Sequence, residues 1–385
     1  MNALITPHAS TTLKPLLLIG DALTQAQQRV HTLPLIPVTH AIANDLIMLG
    51  CGAFTPLSGF MGCDDWLSVC DDLQLKDGTF WPIPILCPVS ATLAASIKVG
   101  MDVALVDAQH RQPLAILHIE EIFKIDKHHH ALNIFQTTDH QHPGVANLMA
   151  QGDFCLAGHV EILSLGHYPQ QFSQLFLTPE QTRALFLQKR WSTIVAFQTR
   201  NPMHRAHEFL VKMALECHDG VLIHTPLGEL ISSDFPAAVT TKAITTLIQH
   251  YFKPDTVIQA GYPMGMYYAG PREALLHAIF RQNYGCSHII IGRDHAGIKN
   301  YYEPFAAQRI FDHLPRGALT IQALKMDWTF WCNRCEGMAS NRSCPHTEQD
   351  RILLSGSAVR DMLRRGEQIP PQFSRPEVIA VLQNA

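Results

Sequence analysis

The sequence predicts an α/β protein in three parts: a mostly β domain over residues 1–168, a parallel-sheet, Rossmann-like domain over 169–325, and a small C-terminal domain over 326–385. Short β-type segments between turn residues fill the first part. Strand and helix patterns alternate from Pro179 onward, and a cysteine cluster follows that alternation. Alternating strands and helices imply a parallel sheet, because parallel neighbours need a crossover connection that a helix supplies.

In the first part, residues 81–89, 103–106 and 113–125 carry strand-type residues. The last two segments flank Asp107-Ala108-Gln109-His110 and are expected to pair as a hairpin. Few long helical periods appear here, and His128, His129 and His130 read as a solvated turn. In the second part, strands are expected at 193–197, 221–224, 256–260, 288–291 and 319–323. Helices are expected at 202–218, 237–252, 271–284 and 304–313. Ligands of such sheets sit at the carboxyl ends of the strands, and two motifs fall there.

The first motif is Gln198-Thr199-Arg200-Asn201-Pro202-Met203-His204-Arg205-Ala206-His207-Glu208. Asn201 suits an N-cap and Pro202 the first helical position. Met203, Ala206, Leu210, Met213, Ala214 and Cys217 make an apolar stripe for packing on the sheet. His204 and His207 lie beside it in the first turns, where free N–H groups and the helix dipole favour an anion such as a phosphate chain. One histidine in a first turn is ordinarily a polar cap, and a bare His-x-x-His lacks the glutamate of the zinc-protease pattern. The N-cap, the proline, two arginines and the preceding strand tip the balance toward an anion site.

The second motif, Gly292-Arg293-Asp294-His295-Ala296-Gly297, follows the fourth strand. Its glycines let the backbone approach a charged ligand, and Arg293 and His295 are read as donors. The stretch from Tyr268 to Asn283 reads as a plain helix with a Gly-Pro start; whether Arg272 reaches the site is open. Residues 52–61 read as structural packing, and Ser355 to Arg360 as a capped helix start or a ligand contact.

Gln198-Thr199-Arg200-Asn201-Pro202 with His204 and His207 resembles the signature of ATP sulfurylases, a variant of the His-x-x-His signature of nucleotidyltransferases. Residues 292–297 resemble that family's second motif, and the resemblance runs from about Leu13 to Val378 in the family's order. It implies a PUA-like domain followed by a nucleotidyltransferase domain. The implied reaction transfers AMP from MgATP to sulfate, giving adenylylsulfate (APS) and pyrophosphate, or the reverse, by in-line attack without a covalent intermediate. No Gly-x-x-x-x-Gly-Lys-Ser/Thr loop occurs, so the resemblance is to kinase-free prokaryotic members. By resemblance, Gln198, Arg200 and the backbone at Ala296 hold sulfate; Thr199 and Asn201 contact the reacting phosphates; His204 and His207 stabilise the transition state. Gln198, Asn201, Gly292, Arg293, Asp294 and His295 hold the nucleotide, and Mg2+ enters with ATP.

Cys332, Cys335, Cys344 and His346 offer three thiolates and an imidazole, the ligand set of a closed tetrahedral zinc site. Some members of the family are similar here and hold zinc, which implies a structural Zn2+; free cysteines are the alternative.

The net charge of −4 lacks the basic surplus of a nucleic-acid binder, which argues against an RNA-binding reading of the β domain and cysteine cluster. No apolar run is long enough to cross a bilayer, and the first residues lack a basic leader and cleavage site. No membrane partner and a cytoplasmic location are expected; homo-oligomer formation is left open. An adenylyltransferase acting on a phosphorylated cofactor precursor is the nearest rival, and the Gln-Thr-Arg-Asn start argues for sulfate.

Overall fold

The computed structural model describes residues 3–228, 235–353 and 356–384, with the main chain alone at 356–358. The first sheet has seven strands: β1 (Leu35–Val38), β2 (Gly59–Phe60), β3 (Cys87–Val89), β4 (Asp102–Asp107), β5 (Pro113–His118), β6 (Glu121–Lys124) and β7 (Phe154–Ile162). Its order is β1-β4-β5-β7-β2, with β3 and β6 also on β7. The β4–β5 hairpin forms as expected, its turn held by the Asp107 carboxylate, which accepts the N–H groups of Gln109 and His110.

Other expectations for this part are corrected. Residues 81–89 form a strand only at their end, because Trp81 buries its ring and donates its indole N–H to Ile83 O. Helix is more abundant than the sequence suggests: α1 (Gly20–Val30), α2 (His40–Gly50), α3 (Cys63–Asp72), α4 (Ala91–Ser96), α5 (Lys127–Phe135) and α6 (Pro143–Ala150). From Ile42 to Gly50, α2 is buried all round, so no polar face marks its period. His128, His129 and His130 are not a turn but the start of α5, capped by the Asp126 side chain. His130 is buried, and its Nδ1 accepts the Trp66 indole N–H at 3.1 Å.

After α7 (Tyr168–Gln171) and α8 (Pro179–Gln188) comes the second sheet: β8 (Ile194–Gln198), β9 (Gly220–Pro226), β10 (Val257–Tyr262), β11 (His288–Ile291) and β12 (Gln322–Lys325). Its order is β10-β9-β8-β11-β12, with all pairs parallel. The connections carry α9 (Arg205–Leu215), α10 (Ala237–Tyr251), α11 (Pro271–Asn283) and the short α12 (Ala306–Arg309). From β8 the chain steps outward to β10, then returns to β11 on the other side of β8. That reversal is a topological switch point, the place where open α/β sheets bind ligands. The β8–β11 ladder pairs Val195 with His288 and Ala196 with Ile289, then ends. Phe197 and Gln198 diverge from Ile290 and Ile291, and a crevice opens between them.

Here too the structure shifts details. The helix expected from Pro202 begins at Arg205, with His204 as an extended N-cap, so Asn201 and Pro202 belong to the loop. Thr199 holds that loop: its hydroxyl donates to Asn201 O and accepts Asn201 N–H. The packed stripe is Ala206, Leu210, Val211 and Ala214, whereas Met213 is 44% exposed and Cys217 is exposed. The helix expected at 304–313 is one α-turn, α12, followed by a 3₁₀ turn. The fifth strand starts at Gln322 rather than 319, because Gln282 Oε1 takes the N–H groups of Thr320 and Ile321.

The third sheet is the antiparallel β13 (Thr329–Cys332), β14 (Gly337–Ser340) and β15 (Arg351–Ile352). Two helices follow, α13 (Gly356–Arg364) and α14 (Pro376–Gln383); Ser355 lies outside the described residues. Val378 and Leu382 of α14 join the apolar cluster of Ile244 and Leu247 on α10. Tyr251 donates to Glu377 Oε2 at 2.6 Å beside it. Among the described residues, no helix is long and apolar enough to cross a membrane.

Helix α11 interlocks the first two parts. Arg272 points away from the crevice and donates to Val69 O, Cys70 O and Pro82 O. Asn283 donates to Ala53 O and Thr55 O, which gives residues 52–61 the packing role expected of them. Arg272→Ala strips three buried carbonyls of their donor. It should lower stability by about 3 kcal/mol or more, since each orphaned acceptor costs about 1–3 kcal/mol. A shift of the first urea transition to lower concentration checks this.

Candidate active site

The crevice is a cavity of about 370 Å³, within the range of small-molecule sites. Its walls include Gln198, Thr199, Arg200, Asn201, His204 and His207 from the β8 side, and all of Gly292 to Gly297 from the β11 side. The two motifs, about ninety residues apart in sequence, thus share one pocket. Arg205 and Glu208 of the first motif face elsewhere. Arg205 N–H donates to Phe373 O, and Glu208 takes a two-pronged contact from Arg375, at 2.7 and 2.9 Å.

On the β8 side, the His204 and His207 rings stack with centroids 3.8 Å apart. Their Nδ1 atoms are buried without a hydrogen-bond partner among the described residues. Burial, and secondarily the neighbouring His207, pushes the His204 pKa well below the usual histidine value. Burial alone takes His207 to about 4. Both rings are therefore neutral at pH 7, ready to donate N–H bonds or to take up a proton beside an anion. The Arg200 guanidinium lies over the Tyr268 ring at 5.2 Å, an arrangement that orients a cation without cancelling its charge. Gln198 Nε2 is 3.4 Å from the Tyr262 hydroxyl oxygen, to which it donates.

On the β11 side, Asp294 and Ala296 are left-handed, with φ of 55° and 56°. Such backbone is costly for residues with a side chain and persists where surroundings enforce it. Here Asp294 N–H donates to Pro304 O, and Ala296 O accepts from Gly270 N–H. A Cβ on Gly297 would meet Asp294 Oδ1 at 2.1 Å, so a larger residue there would push the Asp294 carboxylate aside. Burial raises the Asp294 pKa, opposed by Arg293 and Arg200. Arg293 stacks over Trp328 at 4.2 Å.

The pocket also contains residues beyond the two motifs. Asp327, Trp328 and Thr329 form a wall leading into β13, Met266 also lines the cavity, and Arg360 enters from α13. Arg360 Nη1 donates to Asn201 Oδ1 at 2.9 Å. The Ser355 to Arg360 motif was the signal for Arg360; Trp328 carried none.

Cys332, Cys335, Cys344 and His346 converge at the β13–β14 end. His346 Nδ1 lies 3.3, 3.2 and 3.8 Å from the sulfurs of Cys332, Cys335 and Cys344, and Cys335 and Cys344 are 3.8 Å apart. A tetrahedron with arms of about 2.3 Å to sulfur has edges of about 3.7 Å, so the donor set fits a tetrahedral metal ion. Cys335 N–H also points at Cys332 Sγ, 3.4 Å away.

An open parallel sheet with stacked histidines and arginines at its switch point defines a nucleotidyltransferase. Residues 173–385 match the ATP-sulfurylase family, and residues 5–165 match the PUA-like domain. The chain is 54% identical to a sulfate adenylyltransferase of Thiobacillus denitrificans, across 100% of this chain and 94% of the relative. Identity to one from Syntrophobacter fumaroxidans is 53%, with the same coverage. Among solved structures, a hexameric APS kinase from Thiobacillus denitrificans superposes with a TM-score of 0.78 at 28% identity, covering 99% of this chain and 68% of that one. The chain belongs to the ATP-sulfurylase family. Its activity is that of a sulfate adenylyltransferase, converting ATP and sulfate to APS and pyrophosphate.

The buried histidines make stability depend on pH. Burial lowers the pKa of His130, His204, His207, His224, His277 and His295. Below pH ~6.5 the unfolded chain binds protons that the fold refuses, so stability falls as pH falls, by about 1.4 kcal/mol per pH unit for each such ring. Asp45 and Glu273, both raised to about 7 by burial, act in the opposite sense between about pH 4 and 7. The imidazoles outnumber them, so urea melts should show a loss of several kcal/mol from pH 7 to pH 5. Greater stability at pH 5 would mean that these rings are charged in the fold.

Proposed function

We propose that adenylyl transfer occurs in the β8–β11 crevice by direct, in-line attack of sulfate on the α-phosphate. The observation that carries this reading is the convergence of Arg200, the His204–His207 pair and residues 292–297 on one cavity. Sulfate is fully ionised and needs no general base. The protein's task is to hold two mutually repelling anions in line and to stabilise charge on the leaving pyrophosphate. Arg200, Gln198 and the backbone at Ala296 hold sulfate, the guanidinium fork matching a tetrahedral oxyanion. Thr199 and Asn201 order the loop at the reacting phosphates, with Arg360 bracing the Asn201 amide. His204 and His207 donate to the phosphate chain as charge develops. Gly292, Arg293, Asp294 and His295 line the nucleotide side. Magnesium enters with ATP, held by phosphate oxygens and water.

The Cys332, Cys335, Cys344 and His346 cluster holds a structural zinc ion in this reading. It clamps the hairpin that begins at Thr329, and so steadies Trp328 beneath Arg293. An ATP-consuming reaction supports a cytoplasmic location, and the hexameric state of the structural neighbour supports assembly as a homo-oligomer.

Sulfate-dependent pyrophosphate release, run in both directions, tests the reading. Arg200→Ala should lose about 10²–10³-fold in turnover with its melting temperature preserved, the usual cost of losing an oxyanion donor. His204→Ala should lower kcat more than it raises the sulfate KM; an effect confined to sulfate affinity contradicts its role. Chelation should release one zinc per chain and lower the melting temperature. No stoichiometric zinc in purified protein would remove that claim.

A further inference from the structure

We propose that His277, itself directed by Glu273, fixes the tautomer of His295, so that His295 offers the bound nucleotide a hydrogen-bond acceptor rather than a donor. This rests on the reading of the crevice as the nucleotide site, and it changes the expectation that His295 supplies a proton there. Its partner is then an O–H or N–H of the uncharged nucleoside part, a ribose hydroxyl or the adenine amine, and not a phosphate oxygen.

Glu273 and His277 lie four residues apart on one face of α11, and both are 0% exposed. Glu273 Oε1 accepts Tyr267 N–H and Oε2 accepts Ala269 N–H, each at 3.0 Å. Both oxygens therefore act as acceptors. His277 Nε2 lies 3.4 Å from Glu273 Oε1. That contact is long for a hydrogen bond, and above about pH 7, where Glu273 is ionised and its two backbone N–H bonds favour the charged form, its effect is electrostatic: a lone pair aimed at the carboxylate is repelled, whereas an N–H is attracted. The Nε2 of His277 thus carries the ring's proton.

The other side of the ring settles His295. His277 Nδ1 and His295 Nε2 are 3.0 Å apart, so one proton lies between them. A neutral His277 has its single proton on Nε2, which leaves Nδ1 as the acceptor and makes His295 Nε2–H the donor. Burial and the nearby Arg281 guanidinium disfavour a second proton on either ring. His295 lines the cavity, and its remaining nitrogen, Nδ1, is a lone pair. Directed at an anionic phosphate oxygen, it would repel. His277 and Glu273 are positioning residues in this scheme, and the motif around them, read from sequence as a plain helix, gains a purpose.

The test uses the full-length enzyme with ring-15N histidine, the His295 signal being assigned by its loss in His295→Gln. At a pH above 7, where Glu273 is ionised, wild-type His295 should show the Nε2–H form; an Nδ1–H form there overturns the proposal. Steady-state kinetics follow with ATP, 2′-deoxy-ATP, 3′-deoxy-ATP and ITP, which distinguish the ribose hydroxyls from the amine. One analogue should have a KM raised about tenfold in the wild type, the scale of one hydrogen bond. His277→Leu should raise the ATP KM by a similar factor and abolish discrimination against that analogue. Its sulfate KM should stay within about twofold. His277→Asn, which puts a carbonyl oxygen where Nδ1 was, should restore both properties. Equal treatment of all four nucleotides by the wild type, or unchanged discrimination in His277→Leu, overturns the proposal. If His277→Leu fails to fold, the wild-type spectrum and His277→Asn still decide. Absence of sulfate-dependent pyrophosphate release in the wild type would instead defeat the functional reading and leave the tautomer result standing.

Discussion

The early end of the ladder between two central strands shapes everything around it. β8 and β11 pair through Ala196 and Ile289 and then part. Each remains tied on its outer side, β8 to β9 through Gln198 and His224, and β11 to β12 through Ile291 and Lys325. The diverging ends are therefore stiff, although they no longer touch each other. Stiffness matters because a site that works by positioning and electrostatics gains from groups already in place when charge develops.

The pocket collects positive charge in a chain whose net charge is −4. Arg200 lies over Tyr268, Arg293 over Trp328, and Arg360 donates to an amide oxygen. Aromatic faces and amides orient a guanidinium while leaving its field available to an anion. Glu208 shows the contrast. Its carboxylate, also in the first motif, is buried away from the cavity and joined to Arg375 and Lys212, where it holds the C-terminal segment.

The last sixty residues therefore complete the pocket. They supply Asp327, Trp328, Thr329 and Arg360 to the wall, and α14 packs back onto α10. The cysteine and histidine cluster sits at the far end of the hairpin whose first residue is in that wall. In the proposed reading, an ion held there acts on the pocket through the backbone of β13, which joins the cluster to Thr329 in the wall.

Sequence alone determined what depends on local pattern: the alternation that makes a parallel sheet, the two motifs after β8 and β11, and the four residues of the Cys/His cluster. These follow from periodicity and residue type, which neighbouring chain segments do not alter. Details went astray where tertiary contacts override local preference. Asn201 and Pro202 look like a helix start, yet the Thr199 hydroxyl and the Arg360 contact draw them into a loop. α2 hides its period because it is buried on every side. Only the fold brought residues 198–207 and 292–297 to the same crevice, turned Arg272 toward the first domain, and set His277 between Glu273 and His295. Those outcomes depend on strand order and on the direction of long side chains, which a linear pattern does not encode.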